Sequence, residues 1–234
     1  ITHVRQDTID TRSVLFLASE NGALPGGKVG GVADVVRDLP VALAELGWIV
    51  TVATPSYGAL HEIEGAEKIS MFDVVYRGAR ETLTAWLVPG GDERVRNVVF
   101  DHPLFGADGK GQIYVGDDIS RPFATDANKF ALFSAASAAW ALQTQPDVVH
   151  LHDWHAAMYF LFERPDVPTV FTIHNLSYQG TRPLHGDESS LAAWFPGLET
   201  DYAAIVDPEH GNCINPMATA IRLANTYPNV VTVS

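Results

Sequence analysis

Apolar residues in this chain come in two textures. Short runs with no alternation, "SVLFLAS" (13–19), "WIVTVAT" (48–54), "DVVHLH" (147–152), "TVFTIHN" (169–175) and "NVVTVS" (229–234), read as strands covered on both faces. Between the first two, Val32, Val35, Val36, Leu39, Leu43 and Leu46 form one helical stripe over Gly31 to Leu46. Gly47 is the expected stop, and Pro40 is expected to kink this helix. A strand, a helix and a strand within that span predict a parallel pair joined by a right-handed crossover.

The middle of the chain has a different rhythm. "KISMFDVVY" and "TLTAWLV" flank "RGARE" as a hairpin would, and "NVVFD" follows. "FGADGKGQIYVGDDISRP" is turn chemistry and reads as a surface loop. An alanine-rich helix is expected over 126–143, another from Trp154, and a last one in "NPMATAIRLA". The whole predicts one α/β domain over residues 1–234: a Rossmann-like, doubly wound, mostly parallel sheet with helices on both faces and a β-hairpin decoration.

Composition narrows the partners. A formal net charge of −13 lacks the basic footprint that nucleic acid or an anionic membrane requires, so a small molecule or neutral polymer is the expected ligand. Cys213 is the sole cysteine, which rules out an internal disulfide and suggests a reducing, cytoplasmic setting. The opening "ITHVRQDTIDTRS" has no apolar core of a signal peptide, and no run approaches a membrane span. A start on Ile1 and an end on a strand pattern at Ser234 read as a trimmed start and an excised half.

Two stretches carry candidate chemistry. In "LPGGKVGGVADVV" (24–36) a glycine loop follows a strand and feeds a helix N-terminus, where free N–H groups and the positive dipole end favour an anion. Lys28 adds a compact charge, so phosphate binding is one reading; a flexible loop with a solvated lysine is the other. Neither G-x-x-x-x-G-K-[ST] nor G-x-G-x-x-G is present.

In "DVVHLHDWHAA", His150 and His152 share a strand face, with Asp153 and His155 beyond the carboxyl end. His174 and Asn175 stand at the exit of the next strand, so Asp153 and His174 are expected to face one crevice. The pattern H-x-H-D-x-H also admits a metal centre, against which His150 reads as a hydrogen-bonded core residue.

Taken together, these stretches resemble the N-terminal half of the starch and glycogen synthase family of retaining GT-B glucosyltransferases. "KVGGVADVVRDLPVALAELGWIVTVATPSYG" resembles its K-x-G-G-L-x-D-V-x-x-x-L-P-x-A-L and P-x-Y blocks. "DHPLF" and "DANKFALFSAAS" are similar to its D-x-P-x-x-F and D-x-x-R-F segments. "PDVVHLHDWHAAM" and "TVFTIHNLSYQG" match its two histidine blocks almost residue for residue, and the closing "VVTVS" corresponds to a late strand of its first domain.

The resemblance implies two Rossmann-like domains facing a cleft, the C-terminal one, with the nucleoside pocket and the E-x-x-x-x-x-x-x-E motif, lying outside this chain. By resemblance, Lys28 steadies the departing diphosphate with Gly30 and Gly31, Asp153 lines the glucosyl site and His174 contacts the transferred sugar. Tyr114, His155, Asn175, Tyr178 and Gln179 fall to the acceptor and sugar side. The implied reaction is transfer of glucose from ADP-glucose or UDP-glucose to the non-reducing end of an α-1,4-glucan with retention, with no metal or other cofactor. This chain alone is then expected to be inactive.

The chain departs from the family pattern in four places: a longer spacing from Glu20 to Lys28; Val29 and Val32 for threonine and leucine; Gly106, Ala107 and Lys129 where arginines are usual; and no lysine in "NPMATAIRLA". A non-catalytic glycan-binding module, another nucleotide-sugar transferase and a metal-dependent hydrolase are the competing readings.

Overall fold

The computed structural model describes residues 11–234. The expectation of a trimmed start falls mainly on residues outside that span. Along the chain run β1 (Ser13–Leu17), α1 (Gly31–Glu45), β2 (Ile49–Pro55), β3 (Glu67–Tyr76), β4 (Ala79–Val88) and β5 (Val95–Asp101). Then come α2 (Pro103–Gly106), α3 (Ala124–Thr144), β6 (Val148–His152), α4 (Asp153–Ala157) and β7 (Thr169–Ile173). The rest comprises β8 (Arg182–Pro183), α5 (Leu191–Trp194), α6 (Tyr202–Ile205), β9 (Cys213–Ile214), α7 (Pro216–Ala224) and β10 (Val230–Val233).

Eight strands form one sheet in the order β10-β7-β6-β1-β2-β5-β4-β3, while β8 and β9 pair separately. All neighbours from β10 to β5 are parallel; β4 pairs antiparallel with β5 and β3, the expected hairpin decoration. The unalternating strands have a simple cause. Val14, Phe16 and Ala18 pack with Val36, Val50 and Val52 on the α1 side, while Leu15 and Leu17 enter the larger core with Phe100, Phe133 and Phe171 on the other. Both faces are dry, so every position favours an apolar side chain, each worth about 1.5–3 kcal/mol when fully buried.

The alanine-rich α3 is buried around most of its circumference, and its small side chains let it sit close to its neighbours. Helix α1 runs unbroken through Pro40. A correction concerns 105–122. Instead of a surface loop throughout, it begins in α2 and carries a pinned segment in which Ile113 is buried. The clamp is the buried pair of Lys129 and Asp126, 2.9 Å apart. Lys129 Nζ donates to the Ile113 carbonyl at 2.7 Å, and Asp126 Oδ1 accepts from the Val115 N–H at 3.1 Å. Turn-rich composition cannot disclose a partner on another element.

From β1 the chain runs outward through β2 and β5 on one side and through β6, β7 and β10 on the other. The order reverses between β1 and β6, so a crevice opens beyond their carboxyl ends.

Candidate active site

A cleft of about 780 Å3 occupies that crevice. Glu20 enters it from behind β1, Gly30 and Gly31 from the start of α1, Asp153 and Trp154 from behind β6, and His174 and Asn175 from behind β7. Tyr114, His155 and Tyr178 also line it, so eight of the ten expected site residues meet here. Lys28 and Gln179 do not. Gln179 lines a neighbouring pocket of about 520 Å3, where its Oε1 accepts from Asn215 Nδ2 at 2.6 Å.

The glycine loop is folded on itself. Asn21 N–H donates to the Gly27 carbonyl at 2.8 Å, and a Cβ on Gly27 would lie 2.3 Å from the Asn21 carbonyl oxygen, so a side chain there would open the turn. The turn is held by its own hydrogen bonds, while the Lys28 side chain stays 50% exposed. Lys28 Nζ donates to both carboxylate oxygens of Asp34 at 2.7 Å, and that bond holds the Asp34 carboxyl below its usual range.

The expected anion contacts are partly taken. The Val29 and Gly30 N–H groups both donate to Glu20 Oε2 at 2.7 Å, and Tyr114 Oη donates to Glu20 Oε1 at 2.7 Å. Glu20 is only 2% exposed, so a resident carboxylate fills the place the loop offers to an anion. Sequence reasoning missed Glu20, although a carboxylate directly between β1 and a glycine loop was a signal that could have found it.

Asp153 sits at a strained point, with φ +56° in the left-handed region. Its Oδ1 accepts from the His174 N–H at 2.8 Å and the Asn175 N–H at 3.3 Å, which stitches the end of β6 to the end of β7. Burial raises the Asp153 carboxyl above its ordinary range while these two N–H groups pull it down. A strained, oriented carboxylate facing a cleft is the kind of outlier that marks a functional position.

The other histidines divide their work. His150 bonds Thr172 Oγ1 at 2.7 Å and stacks on His152 at 4.2 Å, as the core reading requires. His152 in turn meets His174, Nδ1 to Nε2, at 2.9 Å. Burial pushes His150 down to about 4 and also lowers His152 and His174, so these rings are neutral near pH 7. His155 packs instead against Phe130 at 4.6 Å and Trp154 at 4.5 Å. The metal alternative therefore lacks its donors: among the described residues no three His, Cys, Asp or Glu side chains gather around a common point.

Phe123 is a further lining residue that the sequence did not flag. Its backbone is left-handed, φ +63°, and its ring meets Trp154 and Tyr178 edge-on at 5.6 and 6.0 Å, forming a wall between the cleft and the neighbouring pocket.

Residues 13–234 match the family described as the starch synthase catalytic domain. The chain belongs to that family. Glycogen synthase 1 of Synechocystis sp. is 34% identical over 225 residues, covering 93% of this chain and 40% of that protein. The glycogen synthase of Gloeobacter violaceus is 41% identical over 175 residues, covering 71% and 34%. The catalytic domain of starch synthase IV from Arabidopsis thaliana, solved bound to ADP and acarbose, superposes with a TM-score of 0.71 at 26% identity, covering 96% of this chain and 45% of that one. This member of the starch synthase family thus spans less than half the length of these relatives. Lys129 serves a structural purpose here, the clamp on Ile113 described above. No helix among the described residues is long and apolar enough to cross a membrane.

Proposed function

We propose that this chain is the acceptor-side Rossmann domain of a glycogen or starch synthase-type glucosyltransferase. The full protein moves glucose from ADP-glucose or UDP-glucose to the non-reducing end of an α-1,4-glucan with retention. The observation that carries this is the convergence of the α1 N-terminus, Asp153 and His174 on one cleft at the switch point. Such an arrangement offers dipolar N–H groups and a nearby cation to a departing diphosphate, and an oriented carboxylate and imidazole to a sugar. Lys28 serves the diphosphate by exchanging Asp34 for it, and Gly31 supplies the N–H that Glu20 leaves open. Asn175 and Tyr178 meet the acceptor, with the ring of His155 behind them.

Electrostatics also supports the need for a second domain. Glu20, Asp117, Asp126 and Asp153 line the cleft and no lysine or arginine among the described residues does, so a diphosphate entering it alone meets mostly negative potential. Positive charge and the nucleoside pocket come from the C-terminal domain in this reading, which makes residues 1–234 one domain that is silent by itself.

The test uses both lengths. Labelled ADP-glucose or UDP-glucose incubated with glycogen should give incorporation with the full-length protein and none with this chain. Asp153→Asn in the full-length protein should lower kcat by on the order of 100-fold or more with its fold intact. Maltooligosaccharides should shift resonances of Asn175 and Tyr178 in this chain. Full-length protein that binds glucan without transferring glucose would replace this reading with the non-catalytic module, and incorporation by this chain alone would end the two-domain requirement.

A further inference from the structure

His152 and His174 stand on adjacent strands and share one hydrogen bond, Nδ1 to Nε2. Two neutral imidazoles in contact place one proton between them, so one ring donates and the other accepts. If His174 donated from Nε2, His152 would have to carry its own proton on its Nε2. That atom is buried and has no partner among the described residues, and a buried donor left unpaired costs about 1–3 kcal/mol. The reverse arrangement leaves only a lone pair there, the more tolerable orphan. The His152 ring packs against His150 at 4.2 Å and Phe16 at 5.5 Å, two rings that also touch each other at 4.8 Å.

The cleft supplies an independent reason. His174 turns Nε2 inward to His152, so Nδ1 is the ring atom left to a cleft lined by four carboxylates and, among the described residues, no lysine or arginine. Negative potential there favours an N–H over a lone pair.

We infer that His152 is a tautomer-setting residue: by donating Nδ1–H to Nε2 of His174 it fixes the proton of His174 on Nδ1, making that ring a hydrogen-bond donor to a ligand oxygen in the cleft. Under the glucosyltransferase reading that oxygen belongs to the sugar, and His174 orients it without acting as a base. His152 touches no ligand; it is a positioning residue. The inference deepens the proposed function but needs no catalysis for its test.

Histidine-labelled chain, free of any sugar nucleotide, is read by long-range 1H–15N correlation near neutral pH, with His174 assigned by its loss in His174→Gln. Expected for His174 is a protonated Nδ1 and an unprotonated Nε2. Finding the proton on Nε2 overturns the inference. In His152→Phe, which keeps a flat ring in the stack, His174 should become a mixture of both tautomers; retention of the single Nδ1–H form in that variant also overturns it. Should that variant fail to fold, the wild-type spectrum decides alone. Absent glucosyl transfer in the full-length protein would remove the proposed function and leave the tautomer result standing.

Discussion

Replacing His155 by phenylalanine should make the protein resistant to mild acid. The His155 ring is packed by Phe130, Trp154 and Tyr114, and its Nδ1 is buried with no partner among the described residues. Burial, with the nearby Lys129 ammonium adding to it, pushes its pKa down to about 3. A depressed histidine pKa means that the unfolded chain takes up the proton first, so stability is whole above about pH 6.5 and falls as pH drops towards the folded value. Between pH 7.5 and pH 5 this one ring removes up to about 2 kcal/mol, less whatever its partial exposure returns. Phenylalanine fills the same space and does not titrate. Asp126 and Asp153, whose carboxyls burial raises, act with the opposite sign, but they titrate in both proteins and cancel in the difference. Urea unfolding of wild type and His155→Phe at both pH values measures this. The gap in unfolding free energy should move by about 1–2 kcal/mol in favour of the variant at pH 5. A gap that is the same at both values would refute a neutral, desolvated His155.

Other substitutions probe other supports of the cleft. Lys129→Met leaves Asp126 buried and unpaired and frees the Ile113 carbonyl, so it should destabilise by about 3–5 kcal/mol in urea unfolding. Gly180→Ala places a Cβ 2.2 Å from the Trp154 ring at φ +73°, and thermal unfolding should show a loss of about 2 kcal/mol or more. Glu20→Gln keeps an acceptor for the Val29 and Gly30 N–H groups but removes the charge, and should cost about 1–2 kcal/mol with faster amide exchange at those two residues.

Much of this architecture is written in local pattern. The double-faced strands, the stripe of α1 and the hairpin rhythm of β3 and β4 each appear in the sequence because periodicity reports which faces are dry. The histidine blocks at the ends of β6 and β7 were legible too, since their spacing sets Asp153 and His174 just past two consecutive strands. The family could be recognised from those blocks and the glycine loop together.

What the chain's order of residues could not declare is who meets whom across the sheet. The register of β6 on β7, His152 opposite Thr172, brings His152 to His174 over a separation of 22 residues. Folding alone put Glu20 into the N–H groups of Val29 and Gly30, gave Lys28 to Asp34, and drew Ile113 from a turn-rich stretch into the core and Tyr114 into the cleft wall. The reason is physical: a residue's neighbours along the chain set its backbone preference and its face. The partner of a buried charge or polar ring is chosen instead by whichever distant group the closed sheet delivers within hydrogen-bond reach.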